Sequence, residues 1–283
     1  KKTKTGYSTN ESVLSSLKDA HEIIPKLLEY REVYKLFSTY IEPLLKLGKE
    51  DSRSRIHTSF VQTGTATGRL SSRNPNLQNI PARSKLGLKI REAFIAEKGK
   101  KLIGIDYSQI ELRVIAQISG DERMILAYKK GEDLHSLTAS LISGKPINEI
   151  TKQERQAAKA VNFGLVFGMG AAGLKSYSYD TYGVDMTLEQ ATLFKDRLFQ
   201  GYRGIEAWHN SIKSYSPNTS RTLAGRKHTY NENTGVSGRF NTPVQGTAAD
   251  ILKNALGMLH SRLQDTNTII VAVVHDEIVL ECD

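Results

Sequence analysis

Leu102-Ile103-Gly104-Ile105-Asp106-Tyr107-Ser108-Gln109-Ile110-Glu111-Leu112-Arg113 is the stretch whose reading decides the fold. Its first four residues form a short apolar, strand-like run, and the run delivers an acid at its end. A helical pattern then starts near Ile110 and runs to about Ile118, where Gly120 stops it. A second segment repeats the strand-then-acid logic. Ile269-Ile270-Val271-Ala272-Val273-Val274 leads into His275-Asp276-Glu277, which predicts two apolar strands around a tight turn. An ionised Asp at such a point needs water, a cation or a hydrogen-bond partner. Two such acids brought side by side repel each other unless a divalent cation sits between them. Two-metal phosphoryl-transfer enzymes use that arrangement. A single Asp in this position more often caps a turn, so the weight rests on the pair.

Between the acids lies Thr151-Lys152-Gln153-Glu154, a capping-box pattern that predicts a helix start. Arg155, Lys159, Phe163 and Phe167 follow at intervals of four. At about 3.6 residues per turn, each step of four drifts by roughly 40°, so the four share one broad stripe. Cation, cation, aromatic, aromatic suits a triphosphate with a base at its far end. Taken alone, a charged pair on a helix is common, and an aromatic stripe more often belongs to a core.

The sequence around these segments resembles family A DNA polymerases, the bacterial DNA polymerase I type. The Asp106 segment, Arg155 to Gly168 (Arg-x-x-x-Lys-x-x-x-Phe-Gly-x-x-Phe-Gly) and Val274 to Glu277 resemble the family's motifs A, B and C. Thr65-Ala66-Thr67-Gly68-Arg69-Leu70-Ser71-Ser72, Asn74 to Pro81 and Thr242 to Asp250 match further segments in the family's order. The resemblance covers nearly the whole chain. It implies an α+β right-hand polymerase fold with an antiparallel palm sheet, helical fingers and a partial helical thumb. The implied division is thumb base at 1–50, first palm segment at 51–119, fingers at 120–230 and second palm segment at 231–283, incomplete at its C-terminal end.

The resemblance also implies roles. Asp106 and Asp276, with the backbone carbonyl of Tyr107, would ligate two Mg2+ ions, for which Mn2+ would substitute; Glu277 would be a secondary catalytic acid. Arg155 and Lys159 would hold the triphosphate, and Lys159 would protonate the leaving group. Phe163 would stack on the incoming nucleotide, and its Phe form resembles members that reject dideoxynucleotides. Phe167 would pack beneath the templating base, where the family usually has Tyr. His135 and Gln109 would line the nucleotide pocket. Glu111 would act as the steric gate against a 2′-hydroxyl, which separates a DNA from an RNA polymerase. Arg69, Asn241, Gln245 and His275 would reach the primer terminus and its minor groove, whose acceptors sit alike in every base pair. The implied partners are primer–template DNA and a dNTP, and the implied reaction is dNMP transfer with pyrophosphate release. Two other readings remain open: a polymerase with substantial reverse-transcriptase activity, and a nucleic-acid-binding fragment without turnover.

Composition agrees with a polyanionic partner. The 283 residues carry a net charge of +9, and their hydrophobic and charged shares, 39% and 24%, are those of an ordinary globular domain. Much of the excess lies just before Asp106. Arg69, Arg73, Arg83, Lys85, Lys89, Arg91, Lys98, Lys100 and Lys101 face only Glu92 and Glu97 across Ile56 to Lys101. Cys282 is the only cysteine, so an intramolecular disulfide and a cysteine zinc site are excluded. No apolar run has bilayer length, and Lys1-Lys2-Thr3-Lys4-Thr5 lacks a signal-peptide core. The expectation is a monomer away from membranes, in the cytoplasm or on the nucleoid, with organellar and viral sources left open.

Elsewhere the pattern predicts helices from about Glu11 to Leu47, with Ile23, Leu27, Leu28, Val33, Leu36 and Phe37 as an apolar stripe. Gly64 to Pro81 reads largely as loop, and Asp121 to about Ser214 as mostly helical. Pro243 is expected as a first helical residue after Asn241 or Thr242.

Overall fold

The computed structural model describes residues 2–3, 6–82, 84–216 and 218–283. Arg83 of the basic window, and Lys1, Lys4 and Thr5 of the basic start, lie outside the described residues. In chain order the elements are a short ribbon β1 (Lys2–Thr3) and β2 (Gly6–Tyr7), then α1 (Glu11–Ser15), α2 (Ile23–Leu36), α3 (Glu42–Glu50), β3 (Ser59–Val61), β4 (Ser71–Arg73), α4 (Lys85–Glu92) and β5 (Lys101–Asp106). Next come α5 (Ile110–Ser119), α6 (Glu122–Lys129), α7 (Leu134–Ser143), α8 (Lys152–Leu165), α9 (Ala171–Tyr182), α10 (Leu188–Gly201) and α11 (Arg203–Tyr215). The ribbon β6 (Thr219–Arg221) and β7 (Lys227–Thr229), the long helix α12 (Val236–Leu263), and strands β8 (Ile269–Val274) and β9 (Glu277–Cys282) complete it. The chain divides into two compact units, one of Lys1–Gln62, Leu70–Ile105 and Asp265–Asp283, the other of Thr63–Arg69 and Asp106–Gln264.

The first unit is built on the three-stranded sheet ordered β5-β9-β8. β8 and β9 pair antiparallel, Val274 opposite Glu277 and Ile269 opposite Glu281, with a register shift between Ile270 and Ala272. His275, at φ 56°, turns the chain in the left-handed region that a two-residue hairpin requires. Glu281 is buried here, where its carboxylate accepts from Arg55 Nη1 at 3.1 Å and from the Glu97 backbone N–H at 3.0 Å. Those donors hold its pKa below the usual carboxylate range.

Two observations refine the sequence reading in this unit. The apolar stripe of α2 is not a buried one: Ile23, Val33 and Phe37 are exposed, and only Leu36 of the stripe is buried. Gly64–Pro81 is largely loop, as expected, and the three residues of β4 within it pair antiparallel with β3, Phe60 opposite Ser72. The ribbon is only three residues a side, too short for an alternation to be read.

The second unit is helical, and its core is one continuous cluster. Leu112, Ile115, Leu134, Val161, Leu165, Leu174, Leu198, Tyr202 and Ile205, drawn from α5, α7, α8, α9, α10 and α11, are fully buried in it. α5 ends on Gly120 in the left-handed conformation, as its sequence predicts. α12 begins earlier than expected. Its first residue is Val236, and Pro243 lies inside it. A proline there leaves the carbonyl four residues back without its helical donor. The Tyr230 hydroxyl supplies one, donating to the Arg239 carbonyl at 3.3 Å. No helix among the described residues is long and apolar enough to cross a membrane.

Candidate active site

The α8 helix carries the clearest functional face. Thr151 caps it and Glu154 returns to the Thr151 N–H, so the capping box forms as predicted. Ala157, Ala158, Ala160, Val161, Asn162, Gly164 and Leu165 are buried against the core. Arg155, Lys159 and Phe163 are half-exposed on the helix, as are Glu154 and Gln156, and Phe167 is half-exposed in the turn that follows it. The small alanines let α8 seat closely, while Phe163 and Phe167 pack partly against the same core.

Arg155 has a fixed partner. Its Nε and Nη2 fork onto the two carboxylate oxygens of Asp133, at 2.7 and 2.9 Å. Asp133 is also the N-cap of α7, accepting the Ser136 N–H at 2.9 Å. These donors outweigh its partial burial, which pushes the other way, and hold its carboxyl well below the usual carboxylate range; Arg155 is raised in turn.

His135, two residues further, is 3% exposed. Its Nδ1 lies 3.0 Å from Asn162 Nδ2, and its ring is tilted against Phe163 at 5.8 Å. An amide nitrogen only donates, so Nδ1 accepts and Nε2 keeps the proton. Burial pushes its pKa down to about 4. His135 is thus a neutral prop beneath Phe163, with one N–H to offer.

Glu111, in the first turn of α5, is ion-paired with Arg69 of the Thr65–Arg69 loop. That loop is itself held. Arg226 donates from Nε to Asp250 at 2.7 Å, and from Nη2 to the carbonyls of Thr67 at 2.7 Å and Gly246 at 3.1 Å. Gly68 takes a positive φ of 81°, and a Cβ there would lie 2.7 Å from the guanidinium carbon. Only glycine fits under the arginine. Gln109 adopts φ 54° at the start of α5, with its Oε1 accepting from the Tyr128 hydroxyl at 3.1 Å. On α12, Asn241 and Gln245 sit one turn apart as half-exposed positions in a buried stretch.

Asp106 is the last residue of β5 and is exposed, as is Tyr107 after it. Asp276 lies with exposed His275 in the β8–β9 turn, and Glu277 begins β9. A Cβ on Gly104 would fall 2.3 Å from Glu277 Oε1, so the missing side chain makes room for that carboxylate. The carboxylates of Asp106, Asp276 and Glu277 and the Tyr107 carbonyl are each hard oxygens, the kind of donor Mg2+ prefers over sulfur or imidazole. Among the described residues no group of three or more His, Cys, Asp or Glu is placed to hold a metal ion.

Asp133, Arg226, Asp250 and His209 were not singled out by the sequence reading. Asp133 had a local signal, as an N-cap before Leu134-His135-Ser136. Arg226 had none, because Thr67 is 159 residues away.

Two buried histidines make stability pH-dependent. His135 and His209 both have pKa values lowered to about 4, chiefly by burial. The unfolded chain takes up these protons below about pH 6.5, whereas the folded chain refuses them until about 4. Their contribution is therefore full above 6.5 and falls as pH drops, by about 2 kcal/mol each down to pH 5. Carboxylates are still ionised in that window. Denaturant unfolding at pH 7, 6 and 5 is expected to show this decline, reduced by about half in His209→Phe; a flat profile refutes it.

The structure superposes on the POL domain of Pol1 from M. smegmatis, solved in complex with DNA primer-template and dNTP. The TM-score is 0.88 at 36% identity, covering 100% of this chain and 51% of that one. The fold is therefore the α+β, right-hand polymerase class. The model of DNA polymerase family A matches residues 1–283, and the chain belongs to that family. It is 44% identical to the thermostable DNA polymerase I of Thermus aquaticus and 41% identical to DNA polymerase I of Bacillus subtilis, each over 99% of this chain. It spans about a third of their length, 34% and 33%.

Proposed function

We propose that this chain carries the polymerase core of a DNA-directed DNA polymerase, extending a primer 3′-end with dNTPs on a template. The observation that carries this reading is the half-exposed series Arg155, Lys159 and Phe163 along α8, continued by Phe167 in the turn after it, with both aromatic rings partly packed on the core. Two cations at one end would take the phosphates, and two aromatic faces at the other would take the bases. The 3′-hydroxyl oxygen attacks the α-phosphorus, the bond to pyrophosphate breaks, and Lys159 is placed by this reading to protonate the leaving oxygen. Asp106, Asp276 and the Tyr107 carbonyl would hold two Mg2+ ions, with Mn2+ as a substitute and Glu277 as secondary ligand. Within the first unit, the Glu277 carboxylate overlies Gly104 of β5, which supports an acid at that strand end. Bound there, the ions would activate the hydroxyl and offset charge on the leaving group.

In this reading residues 1–50 form the thumb base, 51–119 and 231–283 the palm, and 120–230 the fingers. The basic window before Asp106 would grip the phosphate backbone, giving sequence-independent, salt-sensitive binding. Arg69, Asn241, Gln245 and His275 would test the geometry of the terminal pair, and His135 and Gln109 would wall the nucleotide pocket. A monomer in the cytoplasm completes the proposal. Extension of a labelled primer–template with Mg2+ and dNTPs tests it. Salt-sensitive binding without any extension would instead favour a binding fragment.

The Arg69 ion pair bears on sugar selection. It ties the Glu111 carboxylate in one place, as a gate against a 2′-hydroxyl needs. Glu111→Ala is expected to raise the rNTP/dNTP incorporation ratio by about tenfold or more, roughly 1.4 kcal/mol of lost discrimination. An unchanged ratio in single-nucleotide insertion assays removes the gate.

A further inference from the structure

The end of α8 is closed by two local hydrogen bonds and one distant one. Gly168, at φ 85°, brings its N–H to the Leu165 carbonyl at 2.9 Å, and the Met169 N–H reaches the Gly164 carbonyl at 3.0 Å. These are the two bonds by which a helix commonly satisfies its last carbonyls. The Val166 carbonyl between them takes its partner from α11, where His209 Nε2 lies 2.7 Å away. A carbonyl only accepts, so Nε2 carries the proton. His209 is 2% exposed. Its ring stacks on Phe240, with centroids 4.1 Å apart and planes 16° from parallel, and Phe199 and Trp208 close the cluster at 5.3 and 5.4 Å. Phe240 serves twice. A Cβ on Gly168 would lie 2.6 Å from its ring, so the ring that steadies His209 also fills the space against the helix-ending turn. Phe240 immediately precedes Asn241 on α12.

Phe167 sits between the pinned carbonyl of Val166 and the pinned turn at Gly168. From this geometry we infer that His209 is a positioning residue: through its Nε2–H bond to Val166 it sets the backbone that aims Phe167 into the nucleotide pocket. The functional half of this statement rests on the proposed polymerase reading; the anchor itself does not. The ring and its donor have separate jobs, since the stack on Phe240 needs only a flat apolar face while the carbonyl needs an N–H. Neutral imidazole supplies both.

The two jobs separate by substitution. His209→Phe keeps a ring on Phe240 and removes the donor; His209→Gln brings an amide N–H2 to the place of Nε2. In the folded 283-residue chain, amide hydrogen exchange at Gly168 and Met169 is expected to quicken by about tenfold or more in His209→Phe and to return towards wild type in His209→Gln. In primer extension, KM for dNTP should rise about tenfold in His209→Phe with kcat within about twofold, and Gln should restore it. Unchanged exchange in His209→Phe overturns the anchor. Quickened exchange with equal KM in both variants overturns the link to Phe167. Should the Phe variant not fold, the wild-type chain decides the matter, because nitrogen-15 NMR must show the Nε2–H tautomer at His209 near pH 7, and an Nδ1–H tautomer overturns the inference. A chain that never extends a primer defeats the polymerase reading, while exchange and tautomer still judge the anchor.

Discussion

Asp276→Ala is expected to lower primer extension by on the order of 10³-fold or more with folding intact, and Asp106→Ala to do the same. Neither acid is fully buried: Asp106 is exposed and Asp276 half-buried. Asp106 ends β5 in the open, and Asp276 occupies a hairpin turn whose tight geometry is supplied by His275 at φ 56°. The strands on either side are held by their own ladder, from Val274–Glu277 back to Ile269–Glu281. At exposed Asp106 the stability cost should stay within about 0.5 kcal/mol, and thermal unfolding of Asp276→Ala reads the cost at the half-buried turn. Removing an ion's ligand is another matter, because charge stabilisation by a bound ion contributes several kcal/mol to such a transition state. Asp265→Ala, an exposed acid at the end of α12, serves as the control and should leave extension unchanged. Single-turnover extension, read beside thermal unfolding, separates the two contributions. Activity within tenfold of wild type in Asp276→Ala removes that residue from the ion site.

The second large effect is a pair of opposite signs at one ion pair. Arg155→Ala is expected to raise KM for dNTP by about 10- to 100-fold, the loss of a charge-assisted fork of roughly 1.5–3 kcal/mol. Asp133→Asn is expected to lower it by about three- to tenfold. The reason lies in the geometry. The Arg155 fork of Nε and Nη2 is engaged with Asp133. The triphosphate must take the arginine from the carboxylate, and the depressed pKa of Asp133 shows the carboxylate holds its charge throughout the working pH range. Asparagine keeps an oxygen for the Ser136 N–H, so the α7 cap survives while the competing charge goes. Steady-state KM for all four dNTPs measures both variants. A KM that rises in Asp133→Asn shows that Asp133 orients Arg155 for the nucleotide instead of competing for it.

Much of this was legible in residues near one another in sequence. The Thr151–Glu154 box forms, Arg155, Lys159 and Phe163 fall on α8, Gly120 ends α5, and the β8–β9 hairpin turns at His275-Asp276. Each depends on spacing alone: 3.6 residues per helical turn, two per strand alternation, one residue able to cap or turn. The misreadings were also local in cause. Pro243 passed for a helix start because proline belongs there, and only Tyr230, thirteen residues earlier, makes an interior proline tolerable.

By itself, then, the sequence determined which residues are helical, which are extended, where acids meet strand ends and that Arg155, Lys159 and Phe163 share one helix, because those follow from periodicity and capping within a few residues. Only the tertiary structure decided what those side chains are bonded to: Arg155 to Asp133, Glu111 to Arg69, the Thr67 carbonyl to Arg226, and the Val166 carbonyl to His209. A hydrogen-bonding group carries no mark of its partner, and partners from distant parts of the chain meet only once packing has brought their elements together.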